Sequence, residues 1–285
     1  MNNTKVGLYP TFLYNIQGMK KLIFCDIDGT IVDGTRQMDK LSDKTVYAIK
    51  QLCKDNYVFI ASGRCKALLE KQITDLNPSG YILCNGAYAE YNNEMIYGLY
   101  FSDEDVKAIR KLVDDYDGFC ILETLNNVYV DSFEKQSFKA FMQGWGRCLD
   151  GFEEIMDDHI HNDKYHISMI GFMNNDMQDI VKERLKNHAT VAIHNSLTSF
   201  DINVLGVNKG IGVKKVMEYL GVDYENTYCF GDGINDLEML QSVAHPVIVK
   251  NAHPDLRKFG FEETDDVLDD GFYKYLLDNK LIKPI

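Results

Sequence analysis

Four short apolar runs, each cut off by small, polar or charged residues, constrain this chain more than any other feature. Leu22-Ile23-Phe24-Cys25 leads into Asp26-Ile27-Asp28-Gly29-Thr30, and Tyr57-Val58-Phe59-Ile60-Ala61 into Ser62-Gly63-Arg64. Tyr81-Ile82-Leu83-Cys84 leads into Asn85-Gly86, and Thr227-Tyr228-Cys229-Phe230 into Gly231-Asp232-Gly233-Ile234-Asn235-Asp236. Each run has the length of a buried strand and precedes a helix-like segment. Ser42 reads as the N-cap of the first helix, ahead of Val46, Ile49, Leu52 and Cys53 at helical spacing. Lys66 to Leu76 reads as a second helix. The alternation predicts a doubly wound, mostly parallel α/β sheet with right-handed crossovers. Parallel strands would gather Asp26, Asp28, Ser62, Asp232 and Asp236 on one edge, the carboxyl end at which such sheets bind ligands.

From Tyr88 the texture changes. Tyr88 to Tyr91 and Met95 to Phe101 are β-like around Asn92-Asn93, a hairpin signal. Helical and strand-like stretches then follow one another to Val204, including a helix over Phe133 to Trp145 and strands over Tyr165 to Phe172 and Thr190 to His194. This is the pattern of an inserted α+β domain with a mixed sheet and helices on one face. The insert is placed at 88–195, between the two halves of an α/β core, 19–87 and 196–285. Residues 1–18 read as an N-terminal extension or leader without the basic start of a signal peptide. After the insert, helices are expected through Leu220, from Asn235 to Val243 and from Gly271 to Leu277, with a short strand over Pro246 to Val249. Trp145, Tyr165, His166 and Phe172 read as packing or surface residues rather than substrate contacts.

Charge narrows the partners. The chain of 285 residues carries 30 Lys and Arg against 43 Asp and Glu, a net −13, with no basic cluster. Nucleic acid and anionic membranes are disfavoured, and an anionic substrate needs a local cation from a metal, a lysine or an arginine. Nothing approaches the ~18 continuous apolar residues of a membrane span. Seven scattered cysteines without Cys-x-x-Cys spacing read as free thiols of a cytoplasmic protein. Sequence leaves the oligomeric state open.

Glycine-rich nucleotide motifs fail on spacing: Gly206-Val207-Asn208-Lys209-Gly210 is no Walker loop, and Gly231-x-Gly233 lacks a third glycine. Asp26-x-Asp28-Gly29 has its glycine too early for a calcium loop. The four ordered segments Asp26-Ile27-Asp28-Gly29-Thr30, Ser62-Gly63-Arg64, Lys209 and Gly231-Asp232-Gly233-Ile234-Asn235-Asp236 resemble the motifs of the haloacid dehalogenase (HAD) superfamily. The closer resemblance is to its Cof-type phosphatases, which carry a large α+β cap between the second and third motifs. Asn85-Gly86-Ala87, Asn251-Ala252 and Thr264-Asp265-Asp266 fit that branch as well, whereas Lys250 stands where glycine is usual.

What the resemblance implies is a Mg²⁺-dependent phosphatase of small phosphomonoesters, mainly sugar phosphates. An aspartate such as Asp26 can attack phosphorus and form an acyl phosphate, dividing a slow hydrolysis into two faster steps. Asp28 is expected as general acid and base. Mg²⁺ favours hard oxygen ligands, and Asp26, the backbone carbonyl of Asp28 and Asp232 are expected to hold it, with Asp236 behind them. Lys209 would neutralise charge on the nucleophile and the phosphoryl group. Ser62 and the amides of Ile27 and Gly63 would donate hydrogen bonds to phosphate, with Thr30, Arg64, Asn235 and Asn251 as further phosphate or substrate contacts. Taken alone, Lys209 reads rather as a solvated lysine at a helix start, where its charge opposes the dipole. Two rivals stay open: a phosphoryl transferase or mutase, and a non-catalytic sensor of a phosphorylated metabolite.

Overall fold

The computed structural model describes residues 20–145, 151–156, 162–193 and 198–285. Alternating burial explains the central strand. In β1 (Leu22–Cys25), Leu22 and Phe24 join one apolar cluster with Val213 and Val216, while Ile23 and Cys25 join another with Ala48, Ile49 and Leu52. A strand covered on both faces belongs inside a parallel sheet. β1 pairs in parallel with β2 (Tyr57–Ala61) on one side and β12 (Thr227–Gly231) on the other. Beyond β2 lie β3 (Gly80–Leu83) and the antiparallel hairpin of β4 (Tyr88–Tyr91) and β5 (Glu94–Gly98). Beyond β12 lie β13 (His245–Val249) and β14 (Glu262–Thr264), both parallel. The chain thus winds outward from the centre in both directions, and the strand order reverses between β1 and β12.

Helix α1 (Asp43–Asp55) starts where expected: the Ser42 hydroxyl accepts the Thr45 N–H at 3.1 Å. The helix expected over Lys66 to Leu76 is instead a 3-10 turn at Lys66–Leu68 and a single α turn, α2 (Lys71–Thr74). Leu69 and Glu70 are extended between them, and the Ala67 N–H donates to the distant Leu125 carbonyl at 3.1 Å.

A second sheet follows. It contains β6 (Phe119–Glu123), β7 (Val128–Val130), β8 (Phe152–Glu154), β9 (Ile167–Gly171), β10 (Ala189–Ile193) and β11 (Ser199–Val204), in the order β10-β11-β9-β6-β7-β8. Helices α3 (Asp103–Asp115) and α5 (Gln178–Leu185) cover one face through Val106, Ile109, Leu112, Val181 and Leu185. Helix α4 (Gln136–Trp145) does not join them: Phe138 meets Phe119 with ring centroids 5.5 Å apart, in the apolar cluster shared with the larger sheet. That shared cluster seats the smaller sheet on the larger one. Tyr165, His166 and Phe172 are buried, as packing residues should be.

Sheet membership differs from the expected insert at both ends. The 88–98 hairpin extends the larger sheet, because positive φ at Cys84, Asn85 and Gly86 reverses the chain and lays β4 directly along β3. At the other end β11 pairs with β9 and β10, so 199–204 belongs with the smaller sheet. Residues 1–18, the side chain of Trp145, Cys148, His194 and the expected boundary at Asn195 lie outside the described residues. Two short strands, β8 and β14, had no apolar run to announce them. The remaining helices are α6 (Lys209–Leu220), α7 (Leu237–Leu240) and α8 (Gly271–Asp278). No described helix is long and apolar enough to cross a membrane.

Candidate active site

The site forms where the strand order reverses. Asp26 is the first residue past β1, and its N–H donates to the Phe230 carbonyl of β12 at 3.0 Å, which aims the loops after both strands at one point. Lys209 opens α6, capped by the Asn208 side chain, and is 1% exposed. Its Nζ donates to Oδ1 of Asp26 and Oδ1 of Asp236, each at 2.6 Å. The other Asp236 oxygen accepts the N–H groups of Asp232 and Gly233, both at 2.9 Å. Asp236 is therefore fully committed to holding Lys209 and the loop. Thr30 Oγ1 donates to Asp232 Oδ1 at 2.9 Å.

Carboxylate oxygens of Asp26, Asp232 and Asp236 come within 4.8 Å of one another. Burial, and then the Asp236 charge, hold the Asp26 carboxyl well above the usual range and raise Asp232 to about 7. Burial also works against the Lys209 ammonium, but Asp236 and Asp26 outweigh it and keep its pKa above the ordinary lysine value. Two buried carboxyls and a half-buried one around one ammonium leave a deficit of positive charge, and hard oxygen donors at this separation suit a small divalent cation.

Asp28 lies outside that cluster. Arg64 grips both its oxygens, with Nε 3.0 Å from Oδ2 and Nη2 on Oδ1, while Nη1 lies 3.1 Å from Glu70. The guanidinium expected on phosphate is thus occupied by two carboxylates. Asn251 is likewise engaged at both ends, donating to the Gly29 carbonyl at 2.7 Å and accepting from the Val267 N–H at 3.0 Å. Its side chain ties two site loops together. Ser62 is buried, and its hydroxyl accepts the Arg64 N–H at 3.2 Å. Among the described residues the N–H groups of Ile27 and Gly63 donate to no protein acceptor. Unpaired amides in the loops after the neighbouring strands β1 and β2 are the donors an anion requires. Gly29 has φ +87°, and a Cβ there would stand 2.2 Å from Asp232 Oδ2, so only glycine fits under the carboxylate.

Sequence reasoning missed two contacts. Glu70, behind Arg64, carried no motif. Asn203 on β11 accepts from Asn85 Nδ2 at 3.0 Å, and Asn85 Oδ1 accepts from Asn235 Nδ2 at 3.3 Å. No local pattern announced Asn203.

A lysine shared by two buried aspartates, at the reversal point of a doubly wound sheet and beneath a second α+β layer, defines a class of phosphohydrolases. The chain belongs to the haloacid dehalogenase-like hydrolase family, whose pattern matches residues 23–276. It is a phosphatase of the Cof type, acting on small phosphorylated substrates. It is 30% identical over 254 residues to YkrA of Bacillus subtilis (strain 168), described as a candidate phosphatase, with 88% of this chain and 94% of that protein covered. It is 24% identical to YitU of the same organism, named as a 5-amino-6-(5-phospho-D-ribitylamino)uracil phosphatase, over 90% of this chain and 96% of that one. Its fold matches the solved HAD subclass IIB sugar phosphatase BT4131 with a TM-score of 0.77 at 24% identity, covering 92% and 100% of the two chains.

Proposed function

We propose that the protein hydrolyses phosphomonoesters of small polyhydroxylated metabolites, sugar phosphates foremost, through an aspartyl-phosphate intermediate. The observation that carries this reading is the Lys209 ammonium 2.6 Å from both Asp26 and Asp236. A buried ammonium fixed on a carboxylate orients that carboxylate for attack and screens it from an anionic substrate. Two named relatives agree on the substrate class: YitU is named for a phosphorylated ribityl compound and BT4131 as a sugar phosphatase.

In the first step an Asp26 oxygen attacks phosphorus, the acyl–phosphate bond forms, the ester P–O bond breaks and Asp28, with one oxygen released by Arg64 and protonated, gives that proton to the departing oxygen. Water then attacks the same phosphorus, Asp28 takes its proton, and phosphate leaves with Asp26 restored. The amides of Ile27 and Gly63, the Ser62 hydroxyl and Asn235 hold the phosphoryl oxygens, and Arg64 holds Asp28 in direction. Asp26, Asp232 and the backbone carbonyl of Asp28 would hold Mg²⁺, with Asp236 supporting them. When bound, Mg²⁺ supplies positive charge against the phosphoryl oxygens.

The test is phosphate release from a panel of metabolite phosphates, with Mg²⁺ and with chelator. Free phosphate that requires both Asp26 and Mg²⁺ is expected. A rearranged or transferred product would make the protein a mutase or transferase, and tight binding without turnover would make it a sensor.

A further inference from the structure

Asn85, Asn203 and Asn235 form a chain of side-chain amides that joins the smaller sheet to the loop carrying Asp232 and Asp236. Asn203 lies on β11, and Asn85 sits in the turn after β3, both nearly inaccessible at 5% and 4% exposure. Asn85 is held at φ 50°, a left-handed conformation that asparagine tolerates better than most residues. Its Nδ2 donates to Asn203 Oδ1 at 3.0 Å, and its Oδ1 accepts from Asn235 Nδ2 at 3.3 Å. That same Oδ1 lies where a Cβ on Gly63 would come within 2.9 Å of it, so the carbonyl end of Asn85 sits between two loops of the site.

A primary amide has a donating end and an accepting end, so a chain whose two inner members are buried sets the direction in which its exposed outer member, Asn235, is met. An acceptor at Asn203 requires Asn85 to present Nδ2 toward β11 and therefore Oδ1 toward Asn235. Asn235 must then turn its own Nδ2 inward. One Nδ2 hydrogen is used on Asn85, and the second is left to donate. Were the chain reversed, Asn235 would present a carbonyl oxygen, which repels phosphate.

We infer that Asn203 is a positioning residue: acting through Asn85, it fixes the Asn235 amide with its donor end toward the phosphate site. The inference rests on the phosphatase reading and deepens it. Because β11 pairs with β9 and β10, this chain brings a residue of the smaller sheet to bear on the phosphate site.

Inorganic phosphate, which has no leaving group, separates this role from substrate selection. Its affinity for the full-length protein at saturating Mg²⁺ is measured by calorimetry for wild type, Asn203→Leu, Asn235→Ala and the double variant. Losing a hydrogen bond to an ionised group weakens binding about ten- to hundredfold, and that is the loss expected for Asn203→Leu. In the Asn235→Ala background the same substitution should weaken binding less than about twofold, because the relay has lost its end. If Asn203→Leu leaves phosphate affinity unchanged, or weakens it equally in both backgrounds, the relay is refuted. Should Asn203→Leu fail to fold, Asn203→Ser, whose hydroxyl is too short to reach Asn85, is held to the same pattern. A wild-type protein that binds no phosphate would overturn the proposed function itself, an outcome distinct from normal binding by wild type and variant alike.

Discussion

Arg64 and Asp28 meet edge to edge: Nε stands 3.0 Å from Oδ2 and Nη2 contacts Oδ1, while the rest of the guanidinium is buried against Glu70. A carboxylate that is 51% exposed is thereby given one direction by a side chain that is 8% exposed.

Lysine cannot reproduce that two-pronged contact, since it offers a point charge on a flexible stem. Arg64→Lys should therefore slow aspartyl-phosphate formation from a sugar phosphate by about ten- to hundredfold, part of the ~10²–10⁴-fold a positioned acid contributes. With p-nitrophenyl phosphate, whose leaving group needs no proton, the loss should be much smaller. Rapid-quench single turnovers measure both, and equal losses would take Asp28 out of the acid role.

Lys209→Met leaves Asp26, Asp232 and Asp236 without their buried cation. Removing one partner of a buried ion pair costs about 3–5 kcal/mol, so urea unfolding at neutral pH should show a loss of that order together with loss of turnover. Unchanged stability would mean that water already screens the cluster.

Asp232 gives a pH dependence with a definite sign. Its carboxyl is raised from 3.8 to about 7 in the fold, so the folded protein holds a proton that the unfolded chain has released. This contribution is complete below about pH 3.8 and is lost as pH rises toward 7. At pH 7 and above, Mg²⁺ should restore it by binding the ionised cluster, worth about 2.7 kcal/mol at a hundred times its Kd. Thermal unfolding with Mg²⁺ and with chelator measures the increment, and Asp232→Asn should abolish most of it.

His166 acts in the opposite sense. Burial lowers it to about 4, against the smaller upward pull of the Leu99 carbonyl 2.8 Å from Nδ1, and that contact puts the neutral ring's proton on Nδ1. Unfolded histidine takes up a proton near pH 6.5 that the folded ring refuses until about 4, so stability falls as pH drops through that window. Between pH 7 and 5 the wild type should lose about 2 kcal/mol from this residue. In His166→Gln that increment should vanish, and an unaltered slope would place the acid sensitivity elsewhere.

Much of this was legible because the core strands are buried on both faces. Their apolar runs stop abruptly, and the residues at each stop, Asp26, Ser62 and Asp232, are those the sheet brings together. The Ser42 cap and the paired asparagines of the β4–β5 turn were equally readable, since Asn92 and Asn93 both adopt positive φ. What sequence concealed was decided by partners far along the chain. The helix expected over Lys66 to Leu76 breaks at Leu69 and Glu70, where the backbone is extended, and the three acidic and polar residues of β14 form a strand only because β13 offers its edge. Arg64 and Asn251 have the chemistry of phosphate ligands, yet their hydrogen bonds are spent on Asp28 and Glu70, and on Gly29 and Val267. Motif identity does not say how many of a side chain's donors are already engaged.

The placement of β1 also bears on how the chain is made. One neighbour, Tyr57, leaves the ribosome soon after Leu22, but the other, Thr227, is separated from it by the whole of the smaller sheet. For most of synthesis Leu22-Ile23-Phe24-Cys25 therefore presents a bare, apolar edge, the kind that recruits foreign strands. A nascent chain halted before Thr227 should bind chaperones and aggregate, and its release should coincide with the arrival of β12.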